Sequence, residues 1–496
     1  MDIQKDYTCI EHNVKVFSKA VELEADYQEA LPAYCDDIFR VVKCVGRSYI
    51  TSTDISYNEI KLFGKYEICL TYYNENSRLC YADFEEDFSK TVSVDEIGDS
   101  AFVCADIFDK YTNFRVINQR RIDVHSSSVI CLSVYDKIKC PEVCSCENSK
   151  LRYQNFKIAD VISSDISRIE FDEEFSLPSS NEAINRIISW SAFASLSEIK
   201  IIKDKALIKA SVTVNILYTA DNSEENIEKL QYSFNTSKII DSLGINEDDI
   251  PLSNISIGSM FVKGKASGGD KVNTVDVFGE LSVNTVFIRE YEQEYITDGY
   301  IPGAVTDNSF SEYTISEAAG IISENKIVNA SVNLPEDVSS VLELSLITSE
   351  ISFKNGKLTS KLNINALCIS ESGELISVSS GDEFVIPVNS SNEGIASFSI
   401  NSYDYTLTDR NTMDIRVNMK TDIYTFNNKT VNILSDIVAT DEKKEASTMT
   451  VYFAKANESV WDIAKSFSSD IDMIISENSL NGDTLDADKV LIIPRA

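Results

Sequence analysis

Histidine is nearly missing. His12 and His125 are the only two in 496 residues, and neither lies in a recognisable nucleophile motif. Nothing therefore points to a Ser-His-Asp assembly. Glycine (17) and proline (8) are too few for a collagen-like or Pro-rich disordered chain. Positive charge is short as well: 45 Lys and Arg against 79 Asp and Glu give a net charge of −34. Nucleic-acid binding needs a basic footprint, so no nucleic-acid partner is expected. A general electrostatic membrane anchor is opposed on the same ground, and the charge is read as a source of solubility. No run of eighteen apolar residues occurs, so no membrane insertion is expected. The opening "MDIQKDYTCIEHNVKVF" lacks a basic region followed by an apolar core. It is not a secretory signal, and the chain is expected to act in the compartment where it is made. "GKASGGDK" at 264–271 is glycine-rich but lacks the GxxxxGK[ST] order, and is read as a hairpin loop. No catalytic residue, no cofactor and no enzymatic activity are expected.

Cysteine is unevenly spread: ten of the eleven lie in the first 146 residues. An odd count without a signal peptide argues for free thiols in a reducing cytoplasm. "CPEVCSC" places Cys140, Cys144 and Cys146 close together, soft ligands that would suit zinc with Cys9 or His12. The spacing is not that of a zinc knuckle and no second close pair exists. Free thiols are the default reading, and no metal is expected.

What the sequence does contain is repetition. Leu-Pro recurs at Leu31-Pro32, Leu177-Pro178 and Leu334-Pro335, each time after an alternating segment. A short apolar stretch and then an alternating strand follow, as in "ALIKASVTVNILYT". There Ile208, Ala210, Val212, Val214, Ile216 and Tyr218 alternate with more polar neighbours, the period of two of a half-buried strand. A second landmark closes each copy, with Asp123, Asp276 and Asp414 at one place in the pattern. These aspartates are read as strand-edge or turn residues holding backbone amides. The Leu-Pro landmarks are 146 and 157 residues apart and the Asp landmarks 153 and 138, so two independent markers give a similar period. Each unit reads as roughly 110–120 residues of short strands between polar turns. That predicts three separately packed β-sandwich-like domains of one topology. Turn-rich insertions are expected at "TADNSEENIEKL" and "KASGGDKVN". Helix is expected only in short pieces such as "SSNEAINRIISW", capped by Ser179 or Ser180.

After the charged linker "ATDEKKEAST" the pattern changes. Val451 to Ala454 reads as a strand, and Ser459 with Asp462 as a capping box. Val460, Ile463, Ala464 and Phe467 fall on one helical face. Asp470 caps a second helix carrying Ile471, Ile474 and Ile475. Asn481-Gly482 marks a turn, and Val490 to Ile493 a last strand stopped by Pro494. The order is βααβ. Trp461 lies off the apolar helical face. It is read either as packing against the second helix or as an exposed anchor for a partner.

The repeated units resemble SPOCS domains. The resemblance lies in the Pro-initiated apolar stretch, the strand ending "EICLTYY" or "VNILY", and the later long alternating strand, over roughly 30–137, 175–292 and 330–430. The third copy lacks the Tyr at its strand end, near Cys368. The tail resembles a LysM domain at Tyr452, Ser459, Trp461, Ile463, Ala464, Asn478, Leu491, Ile493 and Pro494. It departs from the family at Asn457-Glu458, where Gly-Asp is usual, and at Asp488, where glycine is usual. The two resemblances imply a mainly β chain. Its domains would be 1–145, 150–295 and 310–438 (SPOCS-like, the third divergent), a linker 439–448, and a LysM domain 449–496. The LysM resemblance implies a shallow groove for N-acetylglucosamine-containing chains, with Asn457, Glu458, Ser459, Trp461, Asn478, Leu480, Asn481, Gly482 and Asp486 as candidate binding residues. SPOCS repeats ending in LysM look like the architecture of clostridial spore morphogenetic proteins of the SipL type. That implies a non-catalytic scaffold in the mother-cell cytoplasm at the forespore surface and spore coat. The implied partners are a spore morphogenetic ATPase or other coat proteins, or a glycan. The alternative is a cell-envelope protein that binds peptidoglycan through LysM.

Overall fold

The structure, a computed structural model, describes residues 5–95, 97–221, 223–266, 271–388, 393–440 and 449–495. The first eighteen strands fall into three sets of six. The first is β1 (Lys5–Ala30), β2 (Arg40–Ser56), β3 (Glu59–Tyr73), β4 (Leu79–Ser93), β5 (Phe102–Asn118) and β6 (Arg121–Cys146). The second is β7 (Lys150–Ser176), β8 (Ile184–Ile202), β9 (Lys205–Ala220), β10 (Ser223–Asp241), β11 (Ile250–Ala266) and β12 (Val272–Tyr300). The third is β13 (Val305–Asn333), β14 (Val338–Lys354), β15 (Lys357–Ser370), β16 (Leu375–Pro387), β17 (Glu393–Thr408) and β18 (Thr412–Thr440). Each set has one topology, all antiparallel. Its first, sixth and fifth strands pair in that order as one face of the sandwich (β1-β6-β5, β7-β12-β11, β13-β18-β17). Its second, third and fourth form the other face (β2-β3-β4, β8-β9-β10, β14-β15-β16). In the second and third units single bridges, Ile184 to Val272 and Ile158 to Glu317, run the first-sixth-fifth strands on into one nine-stranded sheet that also takes in β8-β9-β10. The two faces of each unit lie over an apolar core. In the first unit that core holds Leu23, Ile50, Leu62, Phe88, Val103 and Leu132, drawn from all six strands.

The landmarks in the sequence have local causes. Proline ends the first strand because it cannot donate to the ladder. The leucine before it closes the unit: Leu31 N–H donates to Arg120 O, Leu177 to Asn273 O and Leu334 to Asn411 O, at 2.8–2.9 Å. Asp123, Asp276 and Asp414 sit at one register, opposite Gln28, Glu174 and Ser331. They do not hold backbone amides as expected: Asp414 accepts from Ser331 and Thr408 hydroxyls, both at 2.8 Å, and Asp276 faces Lys265 at 3.8 Å. Strand β9 buries Ile208, Ala210, Val212, Val214, Ile216 and Tyr218 completely, as its alternation predicts. Tyr72, Tyr218 and Cys368 are equivalent, which places the missing tyrosine of the third copy at Cys368.

Three further expectations fail. "SSNEAINRIISW" is not helical; most of it lies in β8, where shifts of register between Ile184 and Arg186 and between Ile187 and Ser189 break the period of two. Those bulges gave the apolar residues a helix-like spacing. "TADNSEENIEKL" is not an insertion, because β9 ends at Ala220 and β10 begins at Ser223. The glycine-rich loop around 267–270 lies outside the described residues, though β11 and β12 pair on either side of it.

The third of these failed expectations is separate packing. The outermost strands are 26–29 residues long, so each unit extends beyond its sandwich as a two-stranded ribbon. A lone ribbon is at best marginally stable in water. Here the three ribbons pack into one bundle through successive shared layers. Tyr135, Ala159, Ile288 and Tyr424 form one layer, Cys140, Ile158, Tyr295 and Ile433 the next, and Val143, Ile296 and Leu434 the last. His12 has its role here: Nδ1 bonds the Tyr291 hydroxyl at 2.8 Å and Nε2 the Tyr295 hydroxyl, tying the first ribbon to the second.

The sandwiches also close into a ring. The fourth strand of each unit meets the second strand of the next. Tyr81 on β4 accepts from Trp190 Nε1 on β8 at 2.7 Å, Lys229 on β10 donates to Val341 O on β14, and Glu374, just before β16, pairs with Arg40 on β2 at 3.1 Å. Val42, Ile188 and Leu342 converge with Leu79 and Leu375 in a single apolar cluster. The molecule is thus a pseudo-three-fold ring made from one chain.

Glu29 near the end of β1 is 9% exposed, and burial beside Glu86 pushes its carboxyl up to about 7. An acid with a raised folded pKa stabilises the fold below its unfolded pKa and loses that contribution as pH rises through the folded value. Glu29→Gln is therefore expected to raise stability at pH 8 by about 1–2 kcal/mol, after discounting for solvent screening, with no gain near pH 4. Urea melts of both proteins at the two pH values test it.

Candidate functional site

The tail folds as β19 (Met449–Ala454), α1 (Val460–Phe467), α2 (Ile471–Glu477) and β20 (Lys489–Pro494), with β19 antiparallel to β20. Its chemistry begins with the caps. Ser459 accepts from Asp462 N–H at 3.4 Å and Asp470 from Asp472 N–H at 2.8 Å, filling orphan donors at each helix start. Ser468 ends α1 in the left-handed region (φ 48°). Val460, Ile463, Ala464, Ile474, Leu485, Leu491 and Ile493 are the buried core, while Phe467 is 37% exposed and packs edge-on against Tyr452.

Two loops form the candidate groove. The 455–459 loop is zipped to the 483–485 segment: Asn457 N–H donates to Leu485 O at 2.7 Å, Leu485 N–H to Glu458 O at 3.1 Å and Val460 N–H to Asp483 O at 2.7 Å. Asn457 adopts φ 66°, a conformation that asparagine tolerates better than most residues. The glycine usual in the family is thus replaced by a residue able to hold the same turn. A shallow groove of about 300 Å³ runs along 479–489, and Leu480, Asn481, Gly482 and Asp486 line it. Asn457, Glu458 and Ser459 flank it rather than line it.

The backbone donors of the first loop are already taken. Glu458 accepts from Lys455 N–H at 2.9 Å and from the Tyr452 hydroxyl at 2.6 Å, and Asp488 accepts from Ala456 N–H at 2.8 Å. The Tyr452 hydroxyl and the Lys455 amide hold the Glu458 carboxyl below its usual range. The two departures from the family pattern, Glu458 and Asp488, are thus the residues that occupy these amides. Asp483, Asp486 and Asp488 add further carboxylates along the second loop.

Two of the expected groove residues do other work. Asn478 is a clamp: its Nδ2 donates to Ile474 O and Ile492 O at 2.9 and 2.7 Å, and its Oδ1 accepts from Ile492 N–H at 2.7 Å. It pins the end of α2 to β20 and has no polar atom left for a ligand. Asn478→Ala is expected to destabilise the tail by about 1–3 kcal/mol, since three backbone groups lose their partner. Thermal melting of the isolated tail measures this.

Trp461 is not an exposed anchor: it lies in the tail's buried cluster with Ile474 of the second helix, and it also reaches beyond the tail. It is 6% exposed, and its ring meets Tyr300 edge-on with centroids 5.1 Å apart. Its Nε1 donates to Asp298 Oδ2 at 2.8 Å, and Lys465 pairs with the other oxygen. Lys150 reaches Asp470 at 3.2 Å and Asp472 at 2.5 Å, and Gly303 N–H donates to Ser468 O at 2.7 Å. The tryptophan docks the tail onto the base of the ribbon bundle. Asp298, Tyr300 and Lys150 carried no signal in the sequence, being more than 150 residues from the helix they hold.

None of the eleven cysteines is joined in a disulfide. Cys140 and Cys146 are buried while Cys144 is exposed, so the three face different surroundings. Among the described residues no three His, Cys, Asp or Glu side chains converge as a metal cluster would, and no helix is long and apolar enough to cross a membrane.

Residues 183–263, in the middle unit, match the SipL SPOCS domain, and residues 452–494 match the LysM domain. No curated protein and no solved structure matches the chain. Both modules are binding modules rather than catalytic ones, of a sporulation-related and a peptidoglycan-binding type respectively. The chain is accordingly a mainly β protein that joins a SipL-type SPOCS domain to a C-terminal LysM domain.

Proposed function

We propose that the protein is a non-catalytic adaptor in spore-envelope assembly, working in the mother-cell cytoplasm at the forespore surface and coat. The first and third six-stranded units are taken as further SPOCS domains, because they repeat the first-sixth-fifth and second-third-fourth strand pairings of the matched middle unit. The LysM groove is the docking surface for a morphogenetic partner protein, with an ATPase of the coat's basement layer or another coat protein as the partner. The three units supply further protein contacts, and several weak contacts on one rigid body gain avidity.

The observation that carries the choice of a protein over a glycan is the occupancy of the first loop. A sugar is held by free backbone donors at close approach, whereas here Lys455 and Ala456 amides are bonded to Glu458 and Asp488. The groove left by these bonds is rimmed by carboxylates, which suit a basic peptide surface better than a neutral sugar. The second reading, a peptidoglycan-binding envelope protein, rests on the LysM match and the open groove along 479–489.

Asp486 is exposed at the groove. Asp486→Lys is expected to leave the melting temperature unchanged and to reduce recruitment of a fluorescent fusion to the forespore of sporulating cells. Co-sedimentation with purified peptidoglycan separates the readings. Binding to peptidoglycan that Asp486→Lys abolishes, with recruitment unchanged, supports the glycan reading and removes the adaptor one.

A further inference from the structure

A chamber of about 170 Å³ lies where all three sandwiches meet. It sits on the pseudo-three-fold axis between two polar layers. One layer is Lys43, Ser189 and Glu343, one residue from the same bulge of each unit's second strand. In the other, Asp106 accepts from Asn254 Nδ2 at 3.0 Å and Asn284 Nδ2 at 2.8 Å. Apolar walls between them include Ile50, Ile107, Ile257, Leu346 and Ile400.

The charges of the chamber do not balance. Lys43 is bonded to Glu343, and Arg47 is bonded to Glu67 at 2.6 Å while lying over the Trp190 ring. That leaves Asp106 and Asp109. Asp109 accepts from Ser48 N–H at 3.0 Å and Ser128 Oγ at 2.8 Å, so only neutral groups hydrogen-bond either carboxylate. Two acceptors aimed at the same region are orphaned: Ser191 Oγ and Asn284 Oδ1 are buried with no partner, and Ser191 is 7% exposed. Asp106 and Asp109 are half-buried, and Arg47, the charge that acts on Asp109, is itself bonded to Glu67. A half-buried carboxylate with no bonded counter-charge and a buried acceptor without a donor are each costly. An occupant that brings positive charge and N–H donors relieves both at once.

We infer that the chamber is a binding site for a small aliphatic diamine. Ammonium groups would donate to Asp106, Asp109 and the orphaned acceptors, and the methylenes would lie along the isoleucine and leucine wall. The volume, which would otherwise hold on the order of ten waters, accommodates a chain of a few carbons. A bare metal ion fits less well, because among the described residues no third acidic, histidine or cysteine ligand converges with these carboxylates.

The probe is 1,4-diaminobutane, with 1,4-butanediol as the neutral isostere and Ca²⁺ as the metal control, titrated calorimetrically into the full chain. The expected result is one diamine bound per chain with a higher melting temperature at saturation. The diol and Ca²⁺ should give no heat. Asp106→Asn should weaken diamine binding at least tenfold. Ser191→Leu, which fills the chamber without changing charge, should abolish it, and decides the question where Asp106→Asn fails to fold. No uptake of diamine, equal uptake of the diol, uptake of Ca²⁺ instead, or wild-type affinity in a folded variant overturns the assignment.

Discussion

Glu343→Leu alone is expected to lower stability by about 3–5 kcal/mol, the cost of leaving a buried charge without its partner. Lys43 and Glu343 side chains are 7% and 2% exposed and bonded to one another. Ser189 joins both: it accepts from Lys43 Nζ at 3.1 Å and donates to Glu343 Oε2 at 2.6 Å. The three come from three different units, so the triad is the innermost polar link of the ring. The double substitution Lys43→Met, Glu343→Leu should recover most of the loss, because an apolar pair of similar volume needs no desolvation of charge. Urea unfolding of the single and double variants gives the coupling directly. Equal destabilisation by the single and double changes would falsify the pairing. In a ring of three like units, one residue repeated three times would meet itself on the axis. Lys, Ser and Glu at that position instead make the three units distinguishable there, which fixes one cyclic arrangement of the sandwiches.

This arrangement could not be read from the sequence. Periodicity reports which face of a strand is buried, and it did so for Ile208 to Tyr218. It does not report what a buried face meets. Lys43, Ser189 and Glu343 share no chemistry as residue types, and each follows a bulge that shifts the phase of its strand. The Leu-Pro landmark was legible because one local backbone bond recurs at each copy, and the Asp landmark because all three aspartates hold one register position. In the tail, the caps and the apolar core were legible because Ser459, Asp470 and the Ile463 face act within one helix or its first turn. Trp461 was ambiguous because its partners, Asp298 and Tyr300, lie in another unit. Asn478 matched the family pattern, but the pattern could not tell a ligand contact from the clamp that joins α2 to β20.

The tail therefore has two separable supports, and two substitutions should separate them. Ile463 is 2% exposed in the core of the module. Ile463→Asp places an unpaired charge there, which costs several kcal/mol. A folded unit this small holds only about 2–7 kcal/mol in total at the usual stability per residue. The tail is expected to unfold, while the ring, whose cores it does not enter, keeps its strand signal by circular dichroism. Trp461→Ala should act differently. It removes the ring against Tyr300 and the donor to Asp298, yet Val460, Ile463, Ala464, Ile474 and Leu491 remain to hold the βααβ core. The expected result is a tail that stays folded but no longer rests on the ribbon bundle. Hydrogen exchange reads both outcomes: Ile463→Asp should lose protection throughout α1 and α2. Trp461→Ala should keep protection there and lose it at Gly303, whose N–H is bonded to Ser468 O across the joint. Loss of α1 and α2 protection in Trp461→Ala would show instead that the tail depends on the ring for its fold. The LysM module would then act as a fixed part of the ring's base, with the groove loops held at one angle to the three units.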